Sequence, residues 1–180
     1  MFGRIGWYGW RKAAIWFPAH ATTGRGRIRR ALVYGGGLTT MLAGVVGVAQ
    51  ALHQPLLIPP LGATSILLLT APDKPIAQPR TIMGGYLLAV GVAVGCGAWL
   101  APSAWVAAAA AGVAAALLLV TNTLHPPGVA TLLLLLLAST PPTWRVLVVP
   151  VLPGVGVVVG LGWLFNNVVA EHKYPATTWW

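Results

Sequence analysis

The residues with the most chemistry to offer stand together at Asn122-Thr123-Leu124-His125-Pro126-Pro127-Gly128-Val129-Ala130-Thr131. One imidazole, two hydroxyls and one amide side chain interrupt an apolar run that extends from Ser103 to Ser139. Imidazole titrates at about pH 6.5 and donates or accepts at either ring nitrogen, so it can hand a proton on or hold an anion. In hydrocarbon such a group is expensive unless it lines a cavity or is buried in protein. Two readings of His125 are open. It faces a pore, where it donates to an anion or exchanges its proton, or it is a hydrogen-bonded structural histidine that ties chain breaks together.

Positioning comes from the prolines. Pro126 and Pro127 remove two backbone donors and disfavour a helix before them. The same pair is well suited to start a helix, whose first positions need no donor. The spacing therefore predicts an unwound stretch at Leu124-His125 and a new helix from Pro126 or Pro127. The apolar run is too long for one membrane span, and fits one span plus a shorter, broken one.

A second stretch repeats the pattern. Pro59-Pro60-Leu61-Gly62-Ala63-Thr64-Ser65-Ile66-Leu67-Leu68-Leu69-Thr70-Ala71 aligns with Pro126–Ala138 at an offset of 67, with eight of thirteen positions identical. Gly91-Val92-Ala93-Val94-Gly95-Cys96-Gly97 aligns with Gly156–Gly162 at an offset of 65. Ile58 stands where the other half has His125, so only one half supplies a titratable side chain. Helix N-termini present unpaired amides and a partial positive charge. Two half-helices starting at Pro59-Pro60 and Pro126-Pro127 would bring those ends together near the membrane midplane. Gly62, Ala63, Gly128 and Ala130 would let backbone approach a small ion, and Thr64, Ser65 and Thr131 would add hydroxyls. That is a site for a small anion without a buried full charge. The candidate site is thus His125, Pro126, Pro127, Gly128, Thr131 and Asn122 with Pro59, Pro60, Gly62, Ala63, Thr64 and Ser65. Gln78 and Arg80 are candidates for its mouth, with interface anchoring the other reading of Arg80.

Composition narrows the class. The chain has 180 residues, 57% hydrophobic and 7% charged, with a net charge of +9. Soluble domains carry about a quarter charged residues, so this balance indicates a membrane. The arginines and lysines gather at segment ends and in the N-terminal arm, which suits anionic lipid headgroups rather than nucleic acid. The single cysteine, Cys96, allows no internal disulfide and reads as a packing residue. No acidic residue lies in an apolar run, which disfavours ion coupling through a buried carboxylate. Ser-His-Asp, Cys-His and phosphate-loop signatures are missing, the histidine spacing fits no metal site, and no cofactor is expected.

The organisation follows. Residues 1–30 form a basic, aromatic arm, with Met1–His20 expected as an interfacial helix. A transmembrane domain covers 31–168, with repeat 1 over 31–100 and repeat 2 over 104–168, and 169–180 form a tail. The expected helices are 31–52, 61–71, 81–100, 104–122, 127–138 and 146–168, four full spans and two short ones, with Pro150 and Pro153 able to bend the last. Gly91-xxx-Gly95 and Gly156-xxx-Gly160 are expected at packed helix surfaces, within or between protomers. His53 is expected to be solvated at a helix end. If the short helices cross, the halves are inverted and Lys74 and Arg80 lie with the N-terminus; if they re-enter, those cations lie opposite. The positive-inside rule favours the inverted arrangement with a cytoplasmic N-terminus.

His125-Pro126-Pro127, with Pro60-Leu61-Gly62-Ala63 upstream and Ala77-Gln78-Pro79-Arg80 before Gly84-Gly85, resembles the HPP family of integral membrane proteins. The likeness covers about residues 29–167. It implies a multi-spanning fold and, since members in cyanobacteria and chloroplasts are associated with nitrite transport, a nitrite-transporter-like function. It marks Pro60, Gly62, Ala63, Gln78, Pro79, Arg80, His125, Pro126 and Pro127 as motif residues. Tyr86 departs from the pattern, since many relatives have histidine there. The expectation is an all-α membrane protein, a homo-oligomer of the bacterial plasma membrane, that moves a small monovalent anion. A membrane scaffold binding a partner through its N-terminal arm is the alternative. An intramembrane enzyme with His125 as general base lacks a nucleophile or carboxylate partner.

Overall fold

The computed structural model describes residues 24–53, 58–101, 103–138 and 142–176. The expected interfacial helix at Met1–His20, the breaks at Gln54-Pro55 and Pro102, Thr140-Pro141, and Trp179-Trp180 lie outside the described residues. The rest is helical: α1 Gly24–Leu52, α2 Ile58–Thr70, α3 Pro79–Trp99, α4 Ala104–Val120, α5 Pro126–Leu136 and α6 Trp144–Val169. A 3-10 turn at Pro75–Ala77 joins α2 to α3.

Local chemistry explains the boundaries. The Ser103 hydroxyl oxygen accepts from the Val106 N–H at 3.1 Å and opens α4. Asn122 closes it from a left-handed conformation with φ 53°. Thr123 N–H then donates to Leu118 O at 2.9 Å and Asn122 N–H to Leu119 O at 3.2 Å, the paired bonds of a Schellman end. Prolines begin α3 and α5 where no donor is needed. Pro150 lies in a π segment, Leu147–Val151, because its missing N–H shifts the hydrogen-bond ladder, and so takes up inside α6 the irregularity expected there as a bend. A second π segment, Phe165–Val169, ends α6.

Three of the helices, α1, α3 and α6, are long and apolar enough to cross a membrane. The fourth expected span, α4, has 17 residues because Thr121 and Asn122 turn out of it, which places it at the lower limit for a crossing. The arginines expected in a separate arm, Arg25, Arg27, Arg29 and Arg30, belong to the first turns of α1.

The core is built on α3 against α5, with Val90, Ala93, Leu132 and Leu136 buried beside Leu61, Leu68, Val155 and Val158 of α2 and α6. The principal pairings are α1 with α2 and α6, α4 with α5 and α3, α3 with α5, α6 with α2, α2 with α5, and α3 with α6. Exchanging α1–α3 for α4–α6 leaves that set unchanged. Contacts also give directions. A Cβ on Gly37 would meet Phe165, and one on Gly44 would meet Leu161, so α1 and α6 are antiparallel. Gly37 lies at Leu69 and Gly62 at Leu42, so α1 and α2 are antiparallel. Gly154 lies at Leu61 and Gly162 at Leu68, so α2 and α6 are parallel.

The glycine stripes do not pack within the protomer, the first of the two expected placements. Gly91, Gly95, Gly156 and Gly160 have open space where a Cβ would stand. The close helix approaches use Gly84, Gly85, Gly128, Gly154 and Gly162 instead. Spacing alone identifies a small-residue face but not what lies against it.

Candidate functional site

His125 caps α5 in an extended conformation and is fully buried. Its Nδ1 lies 2.9 Å from Ile76 O. A carbonyl only accepts, so Nδ1 carries a proton and donates. Its Nε2 lies 2.9 Å from Thr64 Oγ1 on α2. In the neutral ring Nε2 is therefore the acceptor and the Thr64 hydroxyl donates to it. Thr64 Oγ1 is also 2.9 Å from the Tyr86 hydroxyl and 3.1 Å from Pro60 O. The Tyr86 O–H can donate to Thr64, which completes a line from Tyr86 through Thr64 and His125 to Ile76. Protonating Nε2 would reverse the middle of that line, turning the Thr64 O–H toward Pro60 O. The Tyr86 ring lies against the imidazole with centroids 5.4 Å apart. Its hydroxyl also faces Thr131, the residue that aligns with Thr64 in the other half.

The approach of this break to α3 requires glycine. A Cβ on Gly85 would overlap His125 Cβ, and one on Gly84 would stand 2.6 Å from Thr123 Cγ2. A Cβ on Gly128 would stand 2.6 Å from Gly85 O. Gly128 is thus filled by α3 backbone. Pro126 and Pro127 have no N–H, and Gly128 N–H donates to His125 O at 2.9 Å. The start of α5 consequently keeps its dipole but offers few amides, and the donors of the site are side chains.

Other candidates fall in different places. Ser65 is buried and donates to Leu61 O at 2.9 Å, and Thr131 to Pro127 O at 3.1 Å. Pro60 and Pro127 are buried, Gly62 is half-buried, and Pro59, Ala63 and Pro126 are exposed. Asn122 is exposed and lines a cleft of about 270 Å³ with Pro75, Ile76, Thr81, Leu118, Leu119 and Leu124. Ile76 both lines this cleft and holds the imidazole. Gln78 is buried: its Nε2 donates to Pro72 O at 2.7 Å and Lys74 O at 3.1 Å. Arg80 is exposed at the start of α3. All the charged side chains among the described residues are exposed, including Asp73 and Glu171. Outside the helices, burial pushes the Tyr174 phenol above its ordinary value.

The sequence reading missed Ile76 as a partner of His125, and it left position 86 aside as a departure. The only signal was the adjacent pair Gly84-Gly85 in an apolar helix, which marks a close approach without naming the neighbour.

Apolar helices around a buried polar junction define an integral membrane protein. The HPP transmembrane region matches residues 23–175, and the chain belongs to the HPP family. Neither the curated proteins nor the solved structures contain a match.

Proposed function

We propose that the protein moves a small monovalent anion, nitrite foremost, across the bacterial plasma membrane, with its N-terminus in the cytoplasm. The observation that carries this is the fully buried, carboxylate-free junction of His125, Thr64, Tyr86 and Thr131 between the two Pro-Pro helices. Buried polar side chains in a membrane are costly unless they serve a path or a pairing. Here the donors satisfy one another, which describes a closed path. Opening exchanges those bonds for bonds to the anion: the hydroxyls donate, the imidazole donates through Nε2 once that nitrogen is protonated, and the N-terminal dipole of α5 adds positive potential. The exchange-invariant packing and alternating helix directions support an inverted repeat around this junction. The open glycine faces of α3 and α6, and the largely exposed α1, suit contact with lipid or with further copies of the chain.

Reconstitution into liposomes tests the reading. Nitrite influx should exceed that of empty liposomes and be ranked against nitrate, formate and chloride. His125→Ala should change the flux or its pH dependence. Influx equal to that of empty liposomes for every anion would overturn the proposal.

A further inference from the structure

The segment after α6 reaches back to the turn that holds His125. Tyr174 is buried, and its hydroxyl donates to Ala77 O at 2.8 Å. The Ala176 N–H donates to Gln78 Oε1 at 3.1 Å. Asn167, on the last turn of α6, fixes the backbone of this segment from both sides. Its Nδ2 donates to Tyr174 O at 2.8 Å, and its Oδ1 accepts from Tyr174 N–H at 3.2 Å. The 3-10 turn Pro75–Ala77 therefore stands between two partners. Its Ile76 carbonyl takes the imidazole proton, and its next carbonyl, Ala77 O, takes the Tyr174 proton. A displacement of the turn as a whole would strain both bonds, so each partner opposes its movement away from the other.

We propose that Tyr174 is a positioning residue for His125: the segment Glu171–Ala176 pins the Pro75–Ala77 turn and through Ile76 O sets the tautomer and orientation of the imidazole. The inference deepens the site proposed above but rests on hydrogen bonds that do not depend on which ion moves. The turn is closed locally by Ala77 N–H to Lys74 O, Gln78 N–H to Pro75 O and the Gln78 side chain, and none of these bonds holds Ile76 O itself, so the anchor at the adjacent carbonyl contributes to where Ile76 O sits. Releasing the anchor frees Nδ1 from its acceptor, and the ring then samples both tautomers.

The test uses the full chain in nanodiscs, with ¹⁵N-labelled histidine and hydrogen exchange as readouts. Tyr174→Phe keeps the ring and removes one donor. Amides of residues 74–78 should exchange roughly fivefold faster, the effect of one neutral hydrogen bond. The His125 ¹⁵N shifts should move from a single Nδ1–H tautomer toward a mixture. Asn167→Ala releases the same segment by another route and should give the same ring signature. In the unaltered protein, residues 72–78 and 171–176 should open as one unit under mild denaturant, a measurement that needs no variant. Faster exchange confined to 171–176, with unchanged His125 shifts in both variants, would overturn the proposal. So would independent opening of the two segments. None of these readouts involves flux, so failure of the transport reading and failure of this one are separable.

Discussion

His125 owes its position to partners far away in the chain: Thr64 is 61 residues before it and Ile76 is 49. That separation is why the imidazole was legible as special while its tautomer was not. Nothing near His125 in sequence says which carbonyl it meets. Thr64 is the more revealing residue to alter, because it joins three groups. Thr64→Val keeps the shape and deletes the hydroxyl. It leaves His125 Nε2 without its donor and leaves the Tyr86 hydroxyl with Thr131 alone of its two hydroxyl neighbours, which costs about 1–3 kcal/mol for the buried group left unpaired. Ser65, one residue on, bonds only its own helix through Leu61 O. Ser65→Ala should therefore change stability by a few tenths of a kcal/mol, within the range of an uncoupled helix hydroxyl. Thermal unfolding of the two variants in one detergent gives the contrast. Equal midpoints would mean that Thr64, too, serves only its own helix.

At the scale of elements, the sequence was most informative where structure is set locally. Pro126-Pro127 starts α5 as expected, α4 begins at Ala104 as expected, and α2 begins at Ile58, ahead of the expected residue 61, with Pro59-Pro60 in its first turn. The end of α4 was legible as a break but not as a cap. Asn122, taken from sequence as a pore residue, holds φ 53° and ends a helix. Left-handed backbone costs a β-branched residue about 1–2 kcal/mol and glycine nothing. Asn122→Gly should match the natural protein in midpoint and transport, while Asn122→Val should lower the midpoint by that amount. A transport loss in Asn122→Gly with unchanged stability would assign the side chain to the path as well as to the cap. The segment after α6 adds a pH dependence. Burial raises the Tyr174 phenol, and the bonded form is the protonated one. Its contribution is therefore complete below the ordinary phenol value of about 10 and is lost as pH rises toward the folded value. Hydrogen exchange of 171–176 should be flat from pH 6 to 9, after correction for intrinsic rates, and accelerate above it; Tyr174→Phe should abolish the step.

For the whole molecule, the helix directions bear on how the halves relate. α1 and α6 are antiparallel, α2 runs against α1, and α3 leaves from the turn at which α2 ends. The linker carrying Lys74 then shares an end of the molecule with the segment after α6, as the Tyr174–Ala77 bond requires. Ser103, between α3 and α4, lies at the opposite end. α1, at 29 residues, is about 43 Å long against about 30 Å of hydrocarbon, so its arginine-bearing first turns project toward the headgroups. The sequence could weigh this arrangement only by counting cations, whereas packed side chains give each helix a direction. Single cysteines placed at Lys74, Ser103 and Lys173 in a Cys96→Ser background test it with a membrane-impermeant thiol reagent. If the short helices cross and the halves are inverted, Lys74→Cys and Lys173→Cys are labelled from the cytoplasmic face and Ser103→Cys from outside. Re-entrant short helices require the reverse pairing, with Ser103→Cys and Lys173→Cys on one side and Lys74→Cys alone on the other. That second pattern would remove the inverted repeat, and with it the argument that the two Pro-Pro starts face one another across the midplane.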